Sequence, residues 1–217
     1  MSSLLEQVPL FSGLSPDDLL VLERSAQPRS FPRHTIVLSE GDLTDTLYVV
    51  VSGRLRVYCC NDEGKEITLN DLQPGDCFGE LALLDASQRS ASVMTTEACR
   101  CLVISSGAFR EVLRQSPELA FNLIRNLAGR VRALTESVKS LALMDVYGRV
   151  AHTLIEMAEC GSDGQAIPYP LTQQELANRV GASREMVAKI LKDLETGGYI
   201  ETHQRRITIR EKLPARY

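Results

Sequence analysis

A long segment without clustered turn formers, from about Pro117 to Leu143, constrains the fold of this chain most strongly. Apolar residues recur along it at steps of 4, 3, 4 and 3, at Leu127, Val131, Leu134, Val138 and Leu141. This heptad spacing predicts a helix whose narrow apolar seam packs against a partner helix. We therefore predict a homodimeric coiled coil. A helix that packs on its own domain is the alternative, although a two-position stripe is narrower than such packing usually needs.

The segment before this helix, from about Phe31 to Val103, is rich in β-branched residues and interrupted by the turn-forming clusters EGD, SG, NDEG and PGD. Short strands separated by turns at intervals of about 8–12 residues are typical of an antiparallel sandwich or roll. Within this region, LYVVVSGRLRVYCC is predicted to form two strands that turn at Ser52-Gly53.

Capping residues divide the C-terminal part of the chain into short elements. Asp145 is expected to cap a helix over VYGRVAHTLIEMAE, which the Gly-rich loop CGSDGQAIPYP follows. Thr172 and Glu175 have the spacing of a capping box, which predicts a helix that ends at Gly181. Ser183 then caps a further helix, and two short helices joined by a tight Gly turn form a helix-turn-helix. The stretch YIETHQRRITIR predicts a β-hairpin beside them, which makes the motif winged.

The second helix of this motif, from Arg184 to about Glu195, has a charged face suited to DNA. Its buried face is supplied by Val187, Ile190, Leu191 and Leu194. Arginine donates two parallel hydrogen bonds to guanine O6 and N7, and glutamate accepts one from cytosine N4. An ordinary solvated helix face would carry the same charges. The candidate DNA-binding residues are Thr172, Gln174, Ser183, Arg184, Glu185, Lys189, Lys192 and Arg205, the last at the predicted wing tip.

The distribution of charge along the chain also predicts that an anionic partner binds the C-terminal end. The formal net charge is −4, which argues against a surface that coats nucleic acid everywhere. From Thr172 onward there are nine Lys/Arg and six Asp/Glu, a balance of +3 that leaves −7 for the rest. The sequence shows no N-terminal signal and no apolar run of the roughly 18 residues that a membrane span needs. We therefore expect a soluble, cytoplasmic protein without a membrane partner.

The cysteines and histidines do not form a recognisable metal-binding pattern. There are six cysteines without a CxxC motif, and the three histidines lie far apart. Such spacing predicts free thiols rather than a metal site. We expect no metal cofactor.

The stretch GDCFGELALLDASQRSASV, residues 75–93, places Glu80 and Arg89 nine residues apart. A carboxylate accepts hydrogen bonds from sugar hydroxyls, and an arginine fork holds two oxygens of a phosphate. Ser90 and the N–H groups of a short turn can complete the cradle, and Gly79 lets a ligand approach the backbone closely. Sugar with phosphate indicates a nucleotide. An exposed salt bridge between Glu80 and Arg89 would need the same two residues and is the alternative.

Several of these stretches resemble one family. FGELALLDASQRSASV resembles the phosphate-binding cassette of cyclic-nucleotide-binding domains, and LFSGLSPDDL resembles their N-terminal helix. LALMDVYGRVAHTLIEMA and LTQQELANRVGASREMVAKILKDLE resemble the hinge and helix-turn-helix of the cyclic AMP receptor protein and FNR superfamily of bacterial transcription regulators. The resemblance covers nearly the whole chain, in the order of the family.

The resemblance implies an α+β fold in three parts. These are an N-terminal antiparallel, jelly-roll-like β-roll over 1–116, a dimerisation helix and hinge over 117–144, and a winged helix-turn-helix over 145–217. The ligand-binding residues that it implies are Gly79 and Glu80 at the ribose, Arg89 and Ser90 at the cyclic phosphate, and Leu81 and Ala82 along the cassette helix. Two adjacent hydroxyl residues meet the base in nucleotide-responsive relatives. This sequence has Leu134 and Thr135 there, which leaves Thr135 as the candidate.

The resemblance implies a homodimeric transcription regulator, not an enzyme, with cyclic AMP as effector. Ligand would favour the dimer arrangement in which two recognition helices fit successive major grooves of palindromic DNA, about 34 Å apart. RNA polymerase is a further expected partner. Control by cyclic di-GMP, or activity without ligand, is the alternative within the family. A nucleotide-hydrolysing enzyme is the alternative of another class, and no activated nucleophile or paired acids in the sequence support it.

Overall fold

The computed structural model describes residues 4–161 and 164–214. The chain forms two compact units, one made of residues up to 60 together with 68–132, the other of 61–67 together with residues from 133 onward. Helices and antiparallel sheets occur in the chain as the predicted α+β fold class requires. The three-part division at 116/117 and 144/145 stays a prediction.

Eight strands form two four-stranded sheets in the N-terminal half of the chain. They are β1 (Gln27–Phe31), β2 (Ile36–Leu38), β3 (Thr46–Ser52), β4 (Leu55–Cys60), β5 (Glu66–Leu72), β6 (Cys77–Phe78), β7 (Ser92–Thr95) and β8 (Cys99–Ser105). One sheet has the order β1-β8-β3-β6 and the other β2-β7-β4-β5. Because neighbouring strands in the first sheet run antiparallel but are distant in sequence, the topology is that of a roll rather than of successive hairpins.

Successive side chains of β3 point alternately into two different cores, which shows how the sheets pack. Tyr48 and Val50 lie in a core to which both sheets contribute, with Leu55 of β4 as a fully buried member. Leu47 and Val49 point to the opposite face and lie in a second core, which helical residues cover. Successive side chains of a strand point to opposite faces, so β3 joins the two cores.

The two strands predicted on either side of Ser52-Gly53 are present as β3 and β4, but they do not pair with each other. They lie in different sheets, so the turn carries the chain from one sheet to the other. Gly53 has φ 88°, and a Cβ there would lie 2.5 Å from the carbonyl oxygen of Ala98. The crossing therefore requires glycine at this position.

The first unit contains short helices and the N-terminal part of a long one, whose residues from 133 onward belong to the second unit. Two 3₁₀ turns, Leu5–Gln7 and Pro9–Phe11, precede α1 (Pro16–Ser25), α2 (Glu80–Asp85) and α3 (Ser106–Gln115). They are followed by α4 (Pro117–Leu143), which has the bounds that the sequence predicts. Leu119 and Leu123 of α4 are buried in the core that helical residues cover.

The remaining elements belong to the second unit. They are α5 (Val146–Met157), β9 (Glu159–Gly161), β10 (Gly164–Ala166), α6 (Gln173–Val180), α7 (Arg184–Thr196), β11 (Ile200–His203) and β12 (Arg206–Ile209). Asp145 caps α5 as predicted, since its Oδ1 accepts a hydrogen bond of 2.7 Å from the N–H of Gly148. Helices and sheet enclose one core, in which Leu154, Leu176 and Val187 are fully buried.

The prediction of a plain loop over CGSDGQAIPYP was wrong. Part of this stretch forms β9 and β10, which pair with each other, and β10 also pairs with β12. The sheet order is β11-β12-β10-β9. Just beyond β10, the N–H of Ile167 donates to the carbonyl oxygen of Ile207 at 2.9 Å. The winged motif is therefore built on a four-stranded sheet rather than on an isolated hairpin.

Candidate functional site

The stretch that resembles a phosphate-binding cassette begins at the end of β6, continues through the short helix α2 and returns through a loop to β7. Gly79 separates β6 from α2 and has φ 86°, in the left-handed region that favours glycine. A Cβ at Gly79 would lie 2.7 Å from Nη1 of Arg89 and 2.9 Å from the carbonyl oxygen of Thr46. A larger residue would therefore displace the arginine, so Gly79 and Arg89 depend on each other.

This segment lines a cavity in the first unit. Its lining residues are Leu38, Val57, Phe78, Gly79, Glu80, Leu81, Ala82, Arg89, Ser90, Ala91, Val93 and Arg130. Six of the seven predicted ligand-binding residues are thus brought together. The seventh, Thr135, lies on α4 in the second unit and is not among the lining residues. The lining combines apolar side chains with three charged ones, as small-molecule sites commonly do.

Arg89 is buried, with 4% of its surface exposed, although it carries a charge. Its Nε donates to Oγ1 of Thr44 at 2.8 Å, its Nη1 to the carbonyl oxygen of Gly79 at 2.5 Å, and its Nη2 to that of Thr46 at 2.9 Å. Among the described residues, no carboxylate lies within ion-pairing distance of Arg89. Burial lowers the pKa of the guanidinium from its ordinary value. The described acceptors of the guanidinium, on Thr44, Gly79 and Thr46, are all neutral, so an anion that entered the cavity would meet a positive charge without a direct carboxylate partner.

Glu80 is the second charged residue of the cavity and is only 2% exposed. Its Oε1 accepts a hydrogen bond of 2.6 Å from Nη1 of Arg130, whose Nη2 donates to the carbonyl oxygen of Cys77 at 2.6 Å. The salt bridge between Glu80 and Arg89 that the sequence left open is therefore absent from the described contacts, and Arg130 is the partner of the carboxylate. Oε2 of Glu80 is buried, and no described residue is its hydrogen-bond partner.

Sequence reasoning missed Arg130 as a cavity residue. It lies on α4, fifty positions after Glu80, between the predicted seam residues Leu127 and Val131. Nothing in the local pattern distinguishes it from any charged residue beside a coiled-coil seam. Thr44 and Thr46, which hold Arg89, were missed for the same reason, because their contacts span 45 and 43 positions.

The helix-turn-helix has the capping that the sequence predicts. Oγ1 of Thr172 accepts from the N–H of Glu175 at 3.1 Å, and Oε2 of Glu175 accepts from the N–H of Thr172 at 2.7 Å, which completes the capping box. Gly181 ends α6 at φ 62°, and Oγ of Ser183 accepts from the N–H of Met186 at the start of α7. These caps set the turn between the two helices.

The side chains predicted to contact DNA lie on the accessible surface of the second unit. The exposed ones are Gln174, Ser183, Arg184, Glu185, Lys189, Lys192 and Arg205, and Thr172 is half-buried. On the opposite side of α7, Val187, Ile190 and Leu194 are buried and Leu191 is half-buried, as the sequence predicts. α7 therefore presents a charged face to the surface and buries Val187, Ile190 and Leu194, although one apolar side chain, Met186, is 47% exposed.

A groove lies between α7, the start of α6 and the wing. Its lining residues are Leu171, Thr172, Gln173, Gln174, Arg184, Ala188, Leu191, Lys192, Glu195, Thr202, Arg205 and Ile207. Five predicted DNA-binding residues are among them, whereas Ser183, Glu185 and Lys189 lie outside it. Arg205 occupies the two-residue turn of the wing with φ 64°, as does Gln204 with φ 48°. The predicted position of Arg205 at the wing tip is therefore the one observed.

Within residues 4–161 and 164–214, no group of three or more potential metal ligands occurs, and all six cysteines are free. In the same part of the chain, none of the helices has the length and apolar character to cross a bilayer.

Both halves of the chain match known families. Residues 28–116 match the cyclic nucleotide-binding domain family, and residues 148–213 match the Crp-like helix-turn-helix domain family. A CRP-like cAMP-activated global transcriptional regulator of Mycobacterium tuberculosis is 34% identical over 213 residues, which cover 96% of this chain and 95% of that protein. The chain belongs to the CRP/FNR family of transcription regulators.

Two further members illustrate this similarity. The cAMP-activated global transcriptional regulator CRP of Escherichia coli is 36% identical over 185 residues, covering 82% of this chain and 87% of that protein. The solved structure of the c-di-GMP responsive global regulator CLP of Xanthomonas campestris covers 91% of this chain and 100% of its own at a TM-score of 0.80. At 24% identity, that likeness shows a common CRP/FNR fold.

Membership of the CRP/FNR family confirms the predicted fold class and the predicted function at family level. The chain is a DNA-binding transcription regulator with a cyclic nucleotide-binding domain, and regulators of this family bind DNA and act as dimers. The roles of individual cavity and helix residues stay predictions.

Proposed function

We propose that cyclic AMP is the effector and that it binds in the cavity of the first unit. The observation that supports this proposal is that one cavity holds two groups suited to a ligand: among the described residues, Oε2 of Glu80 has no hydrogen-bond partner and Arg89 has no carboxylate within ion-pairing distance. Leaving a buried polar group unpaired costs about 1–3 kcal/mol, so its presence suggests a ligand that completes it.

A cyclic nucleotide carries the two complementary groups. A ribose hydroxyl would donate to Oε2 of Glu80, while Arg130 holds the other carboxylate oxygen. The cyclic phosphate, which bears one negative charge, would accept from the free N–H donors of Arg89 and from Ser90. Gly79, Leu81 and Ala82 would lie along the ligand, since all three line the cavity.

We propose that the homodimer forms through the apolar seam of α4. Val131 is 62% exposed and Val138 is 64% exposed in the single chain, and Leu134 and Leu141 are exposed as well. Leu127 packs partly against the core of the first unit, so the exposed seam begins after it. An exposed stripe at heptad spacing supports a two-helix interface with the partner subunit.

DNA binding is proposed to use α7 and the wing of both protomers. We propose that the charged face of α7, with Arg184, Glu185 and Lys189, enters a major groove. The flanking DNA backbone is then contacted by the remaining candidates, Thr172, Gln174, Ser183, Lys192 and Arg205, of which all but the half-buried Thr172 are exposed. A two-fold dimer would prefer a palindrome with half-site centres about 10–10.5 bp apart. Bound effector would favour the arrangement that fits both half-sites, and RNA polymerase is the proposed partner of the DNA-bound dimer.

Calorimetric titration with cyclic AMP, cyclic GMP and cyclic di-GMP tests the effector. We expect cyclic AMP to bind one site per protomer and to strengthen binding to a palindromic duplex, and we expect it to be recovered intact afterwards. Preferential binding of cyclic di-GMP would show that cyclic di-GMP, and not cyclic AMP, is the effector. Equal DNA affinity with and without every nucleotide would favour a regulator that acts without ligand, and loss of cyclic AMP during incubation would indicate hydrolysis.

A further inference from the structure

The contacts of Arg89 separate the residues that would bind the phosphate from those that hold the arginine. Arg89 lines the cavity, whereas Thr44 and Thr46 do not. We propose that Thr44 and Thr46 form a threonine clamp, a pair of positioning residues that orient the Arg89 guanidinium toward the cavity without neutralising it. This inference deepens the proposed function of the same cavity and rests on it.

The clamp holds the guanidinium by its edge. Nε of Arg89 donates to Oγ1 of Thr44 at 2.8 Å, and Nη2 donates to the carbonyl oxygen of Thr46 at 2.9 Å and to its Oγ1 at 3.4 Å. A guanidinium is planar and has five N–H donors in a rigid fork, so a bond at Nε fixes the orientation of the whole fork. At least one donor of Nη1 remains after its bond to the Gly79 carbonyl oxygen.

The backbone supports the clamp. The N–H of Arg89 donates to the carbonyl oxygen of Asp42 at 3.0 Å, and the N–H of Gly41 donates to the carbonyl oxygen of Arg89 at 2.9 Å. The segment that carries Thr44 is therefore tied to the main chain of the arginine that Thr44 contacts. The position of the hydroxyl relative to Nε is set by these bonds rather than by side-chain freedom alone.

The acceptors are neutral although carboxylates are close in sequence. Asp45 stands between the two threonines, and its Oδ2 accepts instead from Oγ of Ser106 at 2.5 Å. A carboxylate on Nε would orient the fork equally well, but it would cancel much of the positive charge that an anion meets. Hydroxyl and carbonyl acceptors orient the fork and leave its charge for the ligand.

Two substitutions of Thr44 separate positioning from packing. Thr44→Val keeps the β-branched shape and removes the acceptor, whereas Thr44→Ser keeps the hydroxyl. In the full-length dimer we expect Thr44→Val to weaken cyclic AMP binding about tenfold in calorimetry, because a hydrogen bond to a charged group is lost. We expect Thr44→Ser to bind within about twofold of the parent.

A double-mutant cycle with Arg89→Lys tests whether Thr44 acts through the arginine, because lysine has no Nε–H to orient. In the Arg89→Lys background, Thr44→Val should change affinity by less than about twofold. Equal losses in both backgrounds would assign Thr44 a general structural role and overturn the clamp. Parent affinity in the Thr44→Val protein would overturn it as well.

A measurement without ligand distinguishes this inference from the proposed function. In the ligand-free protein, the Arg89 Hε resonance, assigned by its loss in Arg89→Lys, should be protected from exchange with water. It should persist in Thr44→Ser and disappear in Thr44→Val. If no cyclic nucleotide binds while this pattern holds, the proposed effector is wrong and the clamp is present. If the resonance is unaffected by Thr44→Val, the clamp is absent whatever the effector.

Discussion

Replacing Arg89 with Gln removes the charge on which the proposed phosphate site depends. Arg89 is 4% exposed and has no carboxylate within ion-pairing distance among the described residues, so its charge is available to a ligand in a poorly hydrated site. A hydrogen bond to a charged group contributes about 1.5–3 kcal/mol, and each 1.4 kcal/mol is a factor of ten in affinity. We therefore expect Arg89→Gln to weaken cyclic AMP binding roughly ten- to hundredfold.

Thermal unfolding with and without cyclic AMP measures this loss and the effect on folding together. Ligand at a hundred times its Kd stabilises a protein by about 2.7 kcal/mol, and a hundredfold rise in Kd reduces this to about 0.4 kcal/mol. Without ligand the melting temperature should change little. Burial lowers the pKa of the Arg89 guanidinium from its ordinary value, so removing the buried charge offsets part of the free energy lost with its hydrogen bonds.

Arg100→Gln is the matched control, because Arg100 is exposed on β8 and lies outside the cavity lining. It should keep parent affinity and the full ligand-induced thermal shift. Equal affinities for Arg89→Gln and the parent in calorimetry would refute the phosphate site. A collapse of the ligand-free melting temperature in Arg89→Gln would instead show that the arginine is structural.

Three further outcomes can be measured. Arg184→Ala should lose roughly 1–3 kcal/mol of binding free energy at one particular guanine, whereas Lys192→Ala should lower the affinity for all DNA sequences alike. Unchanged base preferences of the Arg184→Ala protein in base-by-base competition binding would contradict the role of Arg184. Leu134→Thr should sharpen selectivity for cyclic AMP over cyclic GMP and raise the dimer dissociation constant, because it replaces an exposed seam residue beside Thr135 with a second hydroxyl. If the parent protein already binds cyclic AMP more than about a hundredfold more tightly than cyclic GMP, a difference of roughly 2.7 kcal/mol, the base is selected elsewhere. Ala86→Gly should raise the free energy of unfolding by up to about 1 kcal/mol, because Ala86 ends α2 at φ 55°; a lower value in denaturant unfolding would count against strain there.

Features with a local cause could be predicted from the sequence. The bounds of α4 follow from heptad spacing and the absence of clustered turn formers, and the start of α6 follows from the Thr172–Glu175 capping box. Six of the seven predicted ligand-binding residues belong to one motif of twelve residues, Gly79 to Ser90, and this motif lines a single cavity. In each case the groups that interact are close in sequence or repeat with a fixed period.

Features that depend on distant pairing could not be predicted in this way. Gly and Asp in CGSDGQAIPYP favour a loop, yet β10 gains hydrogen bonds from β12, about forty residues later, and this pairing overrides the local preference. Arg130 likewise reaches Glu80 only because α4 packs against the first unit's own core. The residue type at a single charged position does not indicate which distant group its side chain will contact.

The four-stranded sheet of the second unit lowers the entropic cost of DNA binding by the wing, because it orders the wing before contact. A lone two-stranded hairpin is marginally stable in water and would have to be ordered at the moment of contact. Here β12 is flanked on both sides, and the wing is tied to the helices. The N–H of Thr202 donates to Oε1 of Glu195 at 3.2 Å, and the N–H of Leu171 donates to the carbonyl oxygen of Arg205 at 2.8 Å. Most of the conformational entropy of the backbone that carries Arg205 is therefore lost during folding, which leaves mainly its side chain to be ordered on the duplex.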